Sequence, residues 1–192
     1  MSAIRWNRIY AAILLMCCIG MQSLSAHAET YLKPDKFLFG GWAGLGHVSL
    51  DANNSTGRSE NALALGFRAG YAATSRVLIG VEFNGWTLKS YDFNDPAKGE
   101  SISNFSAFVN YFPMVDSPVF VTGGAGITSY VNNTPTVSGR ENGGSWFVGT
   151  GYEYPVSAQL MLEPQLRYSH GNFSGGKYHV IEMAVGVSWQ AR

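Results

Sequence analysis

Thiols are almost absent from this chain. Its 2 cysteines, Cys17 and Cys18, both lie in the N-terminal segment, so from residue 29 onward disulfides, thiol catalysis and cysteine-based metal sites are excluded. Charge is scarce too: 14% of the residues are charged, with 13 Lys plus Arg against 13 Asp plus Glu. That balance leaves no basic footprint for nucleic acid. Beyond residue 28 no apolar run approaches the roughly 20 residues that a transmembrane helix requires. Any membrane crossing must therefore be made by strands. The glycine runs Gly41–Gly46 and Gly123–Gly126 lack a following Gly-Lys-Ser/Thr, so they mark close packing or bending within strands rather than phosphate loops. His47, His170 and His179 show no metal-ligand spacing along the sequence. No metal and no other cofactor is expected.

The N-terminal segment reads as a targeting signal. Arg5 and Arg8 precede an apolar run, Ala11–Met21, and Ser25-Ala26-His27-Ala28 ends in a small-x-small pattern. This predicts a secretory signal peptide over residues 1–28 and one domain over 29–192. The apolar run is about half the length of a membrane anchor, and Met16 is too bulky to precede a lipid-modified Cys17.

What the chain does have is glycine, 23 residues of it, aromatics at 14%, and a repeated unit. From Phe37 to Trp189, strand-length segments alternate apolar residues with small or polar ones. Leu63, Leu65, Phe67, Ala69 and Tyr71 share one face, opposite Ala62, Ala64, Gly66, Arg68, Gly70 and Ala72. Successive side chains of a strand point to opposite faces, so each segment has an apolar surface and a small, sparsely charged one. The connections alternate as well. Asp51–Glu60, Tyr91–Glu100, Asn132–Gly143 and Asn172–Tyr178 are polar and long, whereas Thr74–Arg76, Met114–Pro118 and Val156–Gln159 are short. An even-stranded transmembrane barrel sorts its connections this way, with long loops outside and tight turns on the periplasmic side. The pattern predicts an all-β fold: an eight-stranded antiparallel up-and-down transmembrane β-barrel.

Three features place the apolar face outward. The polar face carries too few charges to solvate an exterior, and its Gly, Ala and Ser suit a narrow interior filled by side chains. Aromatics also fall at two levels, with Tyr71, Tyr111, Tyr154 and Trp189 on the short-turn side and Trp146 and Tyr168 toward the other. Amphipathic rings at two levels match the two interfaces of a bilayer.

Asn110-Tyr111-Phe112-Pro113, Gly123-Gly124-Ala125-Gly126 and Ala184-Val185-Gly186-Val187-Ser188-Trp189 carry a family resemblance. The chain resembles the small eight-stranded outer-membrane barrels, of the OmpA transmembrane domain and OmpX type, essentially from Phe37 onward. The resemblance implies insertion into the outer membrane of a Gram-negative bacterium by the barrel assembly machinery. In the C-terminal assembly pattern of that group, Ala191 stands where the final Phe belongs. Lipid and lipopolysaccharide around a monomer, with surface loops offered to an extracellular ligand, complete the implied picture. The expected role is structural or surface contact (adhesion, envelope integrity) and not enzymatic. A narrow, porin-like channel is an alternative.

Six charged residues fall on the inward face: Arg68, Glu82, Glu153, Glu163, Arg167 and Glu182. Arg68 and Glu82 are equidistant from the turn Thr74–Arg76, so hairpin pairing sets them directly opposite, and Arg167 and Glu182 lie at similar height on the last two strands. Buried charges must be paired and hydrogen-bonded, which predicts a salt-bridge network plugging the lumen, with Arg68–Glu82 as a cross-strand pair. His170 is the other candidate. Arg167-Tyr168-Ser169-His170-Gly171-Asn172 resembles the His-x-Ser-Asn region of outer-membrane lipid A deacylases, which implies a lipid A-modifying hydrolase as a further alternative. Asn172, however, stands where the Ser nucleophile is required, and Glu182 falls on the inward face.

Overall fold

The computed structural model describes residues 32–52, 57–88, 99–114, 117–134 and 137–191, so the expected signal peptide lies outside the described residues. Eight antiparallel strands follow one another: β1 Phe37–Ala52, β2 Arg58–Ala72, β3 Val77–Thr87, β4 Gly99–Tyr111, β5 Val119–Thr134, β6 Val137–Tyr152, β7 Leu160–Phe173 and β8 Gly176–Gln190. Each pairs with the next, and β8 returns to pair with β1, from Leu38↔Gln190 to Ala52↔Gly176. The sheet is thereby closed. Both described ends of the chain lie at the short-turn end, where the Ala191 amide donates to the Phe37 carbonyl.

Strand β6 resumes briefly at Tyr154–Pro155. Its register against β7 is the same before and after the break, Gly151↔Gln165 and then Tyr154↔Leu162, so Tyr152 falls opposite Pro164. A proline has no N–H to give, and the ladder lapses there. The short turns are held by hydroxyls. Thr74 accepts from the Arg76 amide at 3.1 Å, and Ser157 from the Gln159 and Leu160 amides at 3.3 and 3.1 Å.

Burial alternates along the strands in the phase that the sequence predicts. Phe67, Ile79, Val81, Phe105, Val109, Val121, Ile127, Val148, Leu166, Ile181 and Val185 are exposed around the outside, while the small and polar residues between them are buried. An apolar surface that encircles the molecule far exceeds what a water-soluble monomer shows. It is a belt for lipid.

The predicted loops differ from the observed ones. Residues 132–134 and 137–143 of the expected loop Asn132–Gly143 are strand, paired from Thr134↔Val137 downward. Asn172–Tyr178 is strand apart from the two-residue turn Ser174-Gly175, and Asp51–Glu60 is strand at both ends. Within Tyr91–Glu100, Gly99 and Glu100 open β4, and 91–98 lie outside the described residues. The physical reason is simple. Ladder hydrogen bonding needs only backbone, so strands continue above the lipid, where no apolar alternation marks them.

Inside, two apolar clusters bracket a charged middle. Leu32, Leu38, Ala72, Leu78, Phe108, Phe112, Phe120 and Phe147 pack at the short-turn end. Val48, Leu50, Ala62, Ala64, Trp86, Leu88, Ile102, Tyr178 and Val180 pack at the other. Glycines admit the large rings. A Cβ on Gly66 would collide with the Trp42 indole, and one on Gly124 with the Phe147 ring and the Ala107 carbonyl.

Candidate functional site

All six charges expected on the inward face are buried. Register sets Arg68 opposite Glu82, as counting from their turn predicts, and it also sets Arg167 directly opposite Glu182. The ion pairs do not follow those couples. Arg68 bonds Glu163, and Arg167 bonds Glu82, so both bridges cross the lumen to β7 instead of joining neighbours on one wall. The expected Arg68–Glu82 bridge is thus corrected. Directly opposed side chains enter the lumen side by side, and here both guanidiniums extend across it to a carboxylate on another strand.

The guanidiniums are also sandwiched by rings. The Arg167 carbon lies 4.1 Å from the Phe147 ring centroid and 5.1 Å from that of Trp42, and Arg68 lies 6.0 and 5.8 Å from Phe108 and Phe120. Such contacts favour a desolvated cation.

Glu182 is held without an arginine bridge. The Trp42 indole N–H donates to one carboxylate oxygen at 3.0 Å, and Asn84 Nδ2 and the Trp86 indole N–H donate to the other at 3.0 and 2.9 Å. Three donors stabilise a buried carboxylate much as a counter-ion would. Glu163 receives the Ser188 hydroxyl as well as Arg68. Glu153 is different: it is fully buried, and its carboxylate oxygens have no hydrogen-bond partner among the described residues.

Above the upper cluster a second polar group rims the barrel. Arg58 bridges Glu60 at 3.1 Å and also Glu100, and the Tyr130 hydroxyl donates to Glu100. Tyr130 stacks on Phe173 with ring centroids 4.9 Å apart. The composition of the chain gave no sign of this group, because its members are scattered over β2, β4, β5 and β7. The donors to Glu182 were equally hidden, although Trp42 and Trp86 could have been found by parity as large inward rings needing an acceptor.

Aromatic rings meet in groups on the outer face of the strands. Phe37 lies 5.4 Å from Tyr71, Phe39 stacks on Trp189 at 6.3 Å, and the exposed rings of Tyr111 and Tyr154 complete the short-turn level. Trp146 and Tyr168, 5.7 Å apart, mark the opposite level. His170 faces outward beside them, with Asn172 exposed on the same face. Glu182 is on the other side of the sheet, committed to Trp42, Asn84 and Trp86. The hydrolase constellation is therefore not assembled. What sequence spacing concealed is that His170 lies directly opposite His179, with the two Nδ1 atoms 3.2 Å apart. Counting outward from the turn Ser174-Gly175 would have revealed it.

A closed barrel with an outward apolar belt, aromatic levels and a charged, packed lumen agrees with the comparison to protein families, in which the model of the outer membrane protein beta-barrel domain matches residues 12–190. The chain belongs to that family. It is an outer-membrane protein that crosses the bilayer with its strands. No curated protein sequence is significantly similar to it. Among solved structures it is similar to Neisserial surface protein A, with 18% identity and a TM-score of 0.53, covering 79% of this chain and 96% of that one. It is likewise similar to Ail, the attachment invasion locus protein of Yersinia pestis, with 10% identity and a TM-score of 0.53, covering 82% of this chain and all of the other. At such identities the likeness concerns the fold.

Proposed function

We propose that this barrel is a closed, non-enzymatic scaffold whose work is surface contact, made by the strand extensions and connections above the lipid belt. The observation that carries this reading is the β5–β6 hairpin. Strand β6 begins at Val137, but its pairing with β7 begins only at Gly143↔Phe173. Residues 137–142 therefore pair with β5 alone, and among the described residues no strand covers their other side. An uncovered strand edge offers a row of backbone donors and acceptors to an extended partner. Arg140 bonds outward-facing Ser129 at 2.8 Å, and Glu141 accepts from the Gly175 amide at the foot of the edge. Two barrels of the same fold are, by their names, a surface protein and an attachment protein.

Below the hairpin the lumen is a plug of cross-wall ion pairs between two apolar layers, and it conducts no ions. Outer-membrane lipid and lipopolysaccharide cover the belt of a monomer, assembly machinery inserts it, and an extracellular ligand meets the exposed end. The test replaces residues 132–139 by Asn-Gly, joining the paired residues Val131 and Arg140 by a tight turn. Cells carrying the shortened protein should insert it normally and lose adherence to host-cell or matrix surfaces that wild-type cells bind. Undiminished adherence, with a weakened envelope when the whole protein is removed, would instead favour a purely structural role.

A further inference from the structure

We propose that His170 and His179, with the Tyr168 hydroxyl between their rings and the belt, form an outward-facing site for a divalent first-row transition ion such as Cu²⁺, Ni²⁺ or Zn²⁺. The two histidines are cross-strand partners on β7 and β8, one outward step above the Tyr168–Ile181 pair and one below Asn172–Lys177. Their Nδ1 atoms are 3.2 Å apart, and the Tyr168 hydroxyl lies 2.7 Å from His179 Nδ1. Zinc binds imidazole nitrogen at about 2.0–2.1 Å, so two nitrogens on one tetrahedral ion stand about 3.3 Å apart. The two nitrogens already stand at that spacing, and the Tyr168 oxygen, 2.7 Å from His179 Nδ1, joins them by drawing back about half an ångström.

Hydrogen-bond accounting points the same way. A neutral imidazole offers at Nδ1 either one proton or one lone pair. His179 Nδ1 meets two polar atoms, the Tyr168 oxygen and His170 Nδ1. As an acceptor it would have to share one lone pair between two donors; as a donor it would split one proton between two acceptors. A cation seated among the three atoms uses a lone pair of each and leaves none shared.

The rings are held in place. His170 and His179 lie 4.6 Å apart centroid to centroid, His170 packs on Trp146 at 5.7 Å, and His179 on Tyr168 at 6.1 Å. Preformed ligands lose less freedom on binding. The three side chains are only half-buried, so the remaining coordination positions stay open to water. Lys177, the next outward residue on β8, is exposed and lies 3.9 Å from Asp51.

The experiment uses the protein extracted from outer membranes in detergent and titrated with Cu²⁺ while tryptophan fluorescence is followed, since Trp146 adjoins the site. Zn²⁺ and Ni²⁺ are titrated by calorimetry. One saturable site is expected, tightest for Cu²⁺. His170→Ala or His179→Ala should weaken it at least about tenfold, and His47→Ala, which removes a histidine bonded instead to Asn61, should not. His170→Gln repeats the test with a polar side chain of similar size should the alanine variants fold poorly, as judged by heat-modifiable migration. The proposal is overturned if binding is not saturable, or if the His170→Ala/His179→Ala protein binds the ions as tightly as wild type does.

Discussion

The lumen and the rim hold the same kinds of ion pair under different conditions. In the lumen, the side chains of Arg68, Glu163, Arg167 and Glu82 are at most 3% exposed. At the rim, Lys177 and Asp51 are 53% and 51% exposed and stand 3.9 Å apart. Water screens the second pair and lets it come and go, so exposed pairs of this type contribute little. The first cannot separate without stranding charge in a dry interior. The buried guanidiniums of β2 and β7 reach across the lumen, tying the β2–β3 wall to β7, and leave the carboxylate directly beside them to other donors. Burial thus converts charge from a surface property into an internal brace.

The largest expected effect tests that brace. Removing one partner, by Glu82→Gln or Arg167→Met, should cost about 3–5 kcal/mol in urea unfolding from lipid vesicles, because the other charge stays buried and uncompensated. A double-mutant cycle on Glu82 and Arg167 should show coupling of about 0.5–3 kcal/mol and exceed the cycle on Arg68 and Glu82. Stronger coupling along the hairpin than across the lumen would contradict the observed pairing. Next in size is the outer wall at the same height. Val81→Arg places a cation in the lipid belt and should cost about 2–4 kcal/mol, measured by the same unfolding. A variant as stable as wild type would remove Val81 from the bilayer core.

How much of this was legible beforehand differs between the same two regions. Arg68, Glu82, Glu153, Glu163, Arg167 and Glu182 could be assigned to the interior because strand parity is strict and each departs from an apolar face. Register from a tight turn placed Arg68 beside Glu82. It could not say which carboxylate the guanidinium would choose, because the far wall depends on barrel closure and stagger, to which no local pattern refers. Above the lipid the signal fails for another reason. Residues such as Asn132 and Asn172 carry no alternation there, yet their backbones remain in the ladder. The His170–His179 pair fell between these cases: its register was readable from its turn, while metal-ligand spacings counted along the sequence concealed it.

Glu153 sharpens the comparison from within the lumen. It is as buried as Glu163, but Glu163 receives Arg68 and Ser188 while the Glu153 oxygens receive no donor among the described residues. Among the described residues five buried glutamates, Glu82, Glu100, Glu153, Glu163 and Glu182, face two buried arginines, Arg68 and Arg167. Glu153→Gln replaces a carboxyl that no bridge depends on, and should cost less than about 1 kcal/mol, whereas Glu163→Gln strands Arg68 and should cost about 3–5 kcal/mol. Equal costs for the two would mean that burial alone, and not pairing, sets the weight of a lumen charge.

The smallest effect belongs to the rim. Asp51→Asn removes one end of the Lys177 pair but buries nothing and strands nothing, since both side chains keep about half of their surface in water. Exposed pairs contribute about 0.2–1 kcal/mol, and the lower end applies where the atoms stand near the limit of contact. The change should therefore stay within about 0.5 kcal/mol at low salt and vanish at high salt, where screening lengths shrink to about 3 Å at 1 M. The Glu82→Gln cost should scarcely respond to the same salt, because ions have no access to the packed lumen. Parallel salt titrations of the two variants separate the regions directly. If the Glu82→Gln penalty fell with salt as an exposed pair's does, the lumen would be wet, and its ion pairs would line a passage for ions instead of closing one.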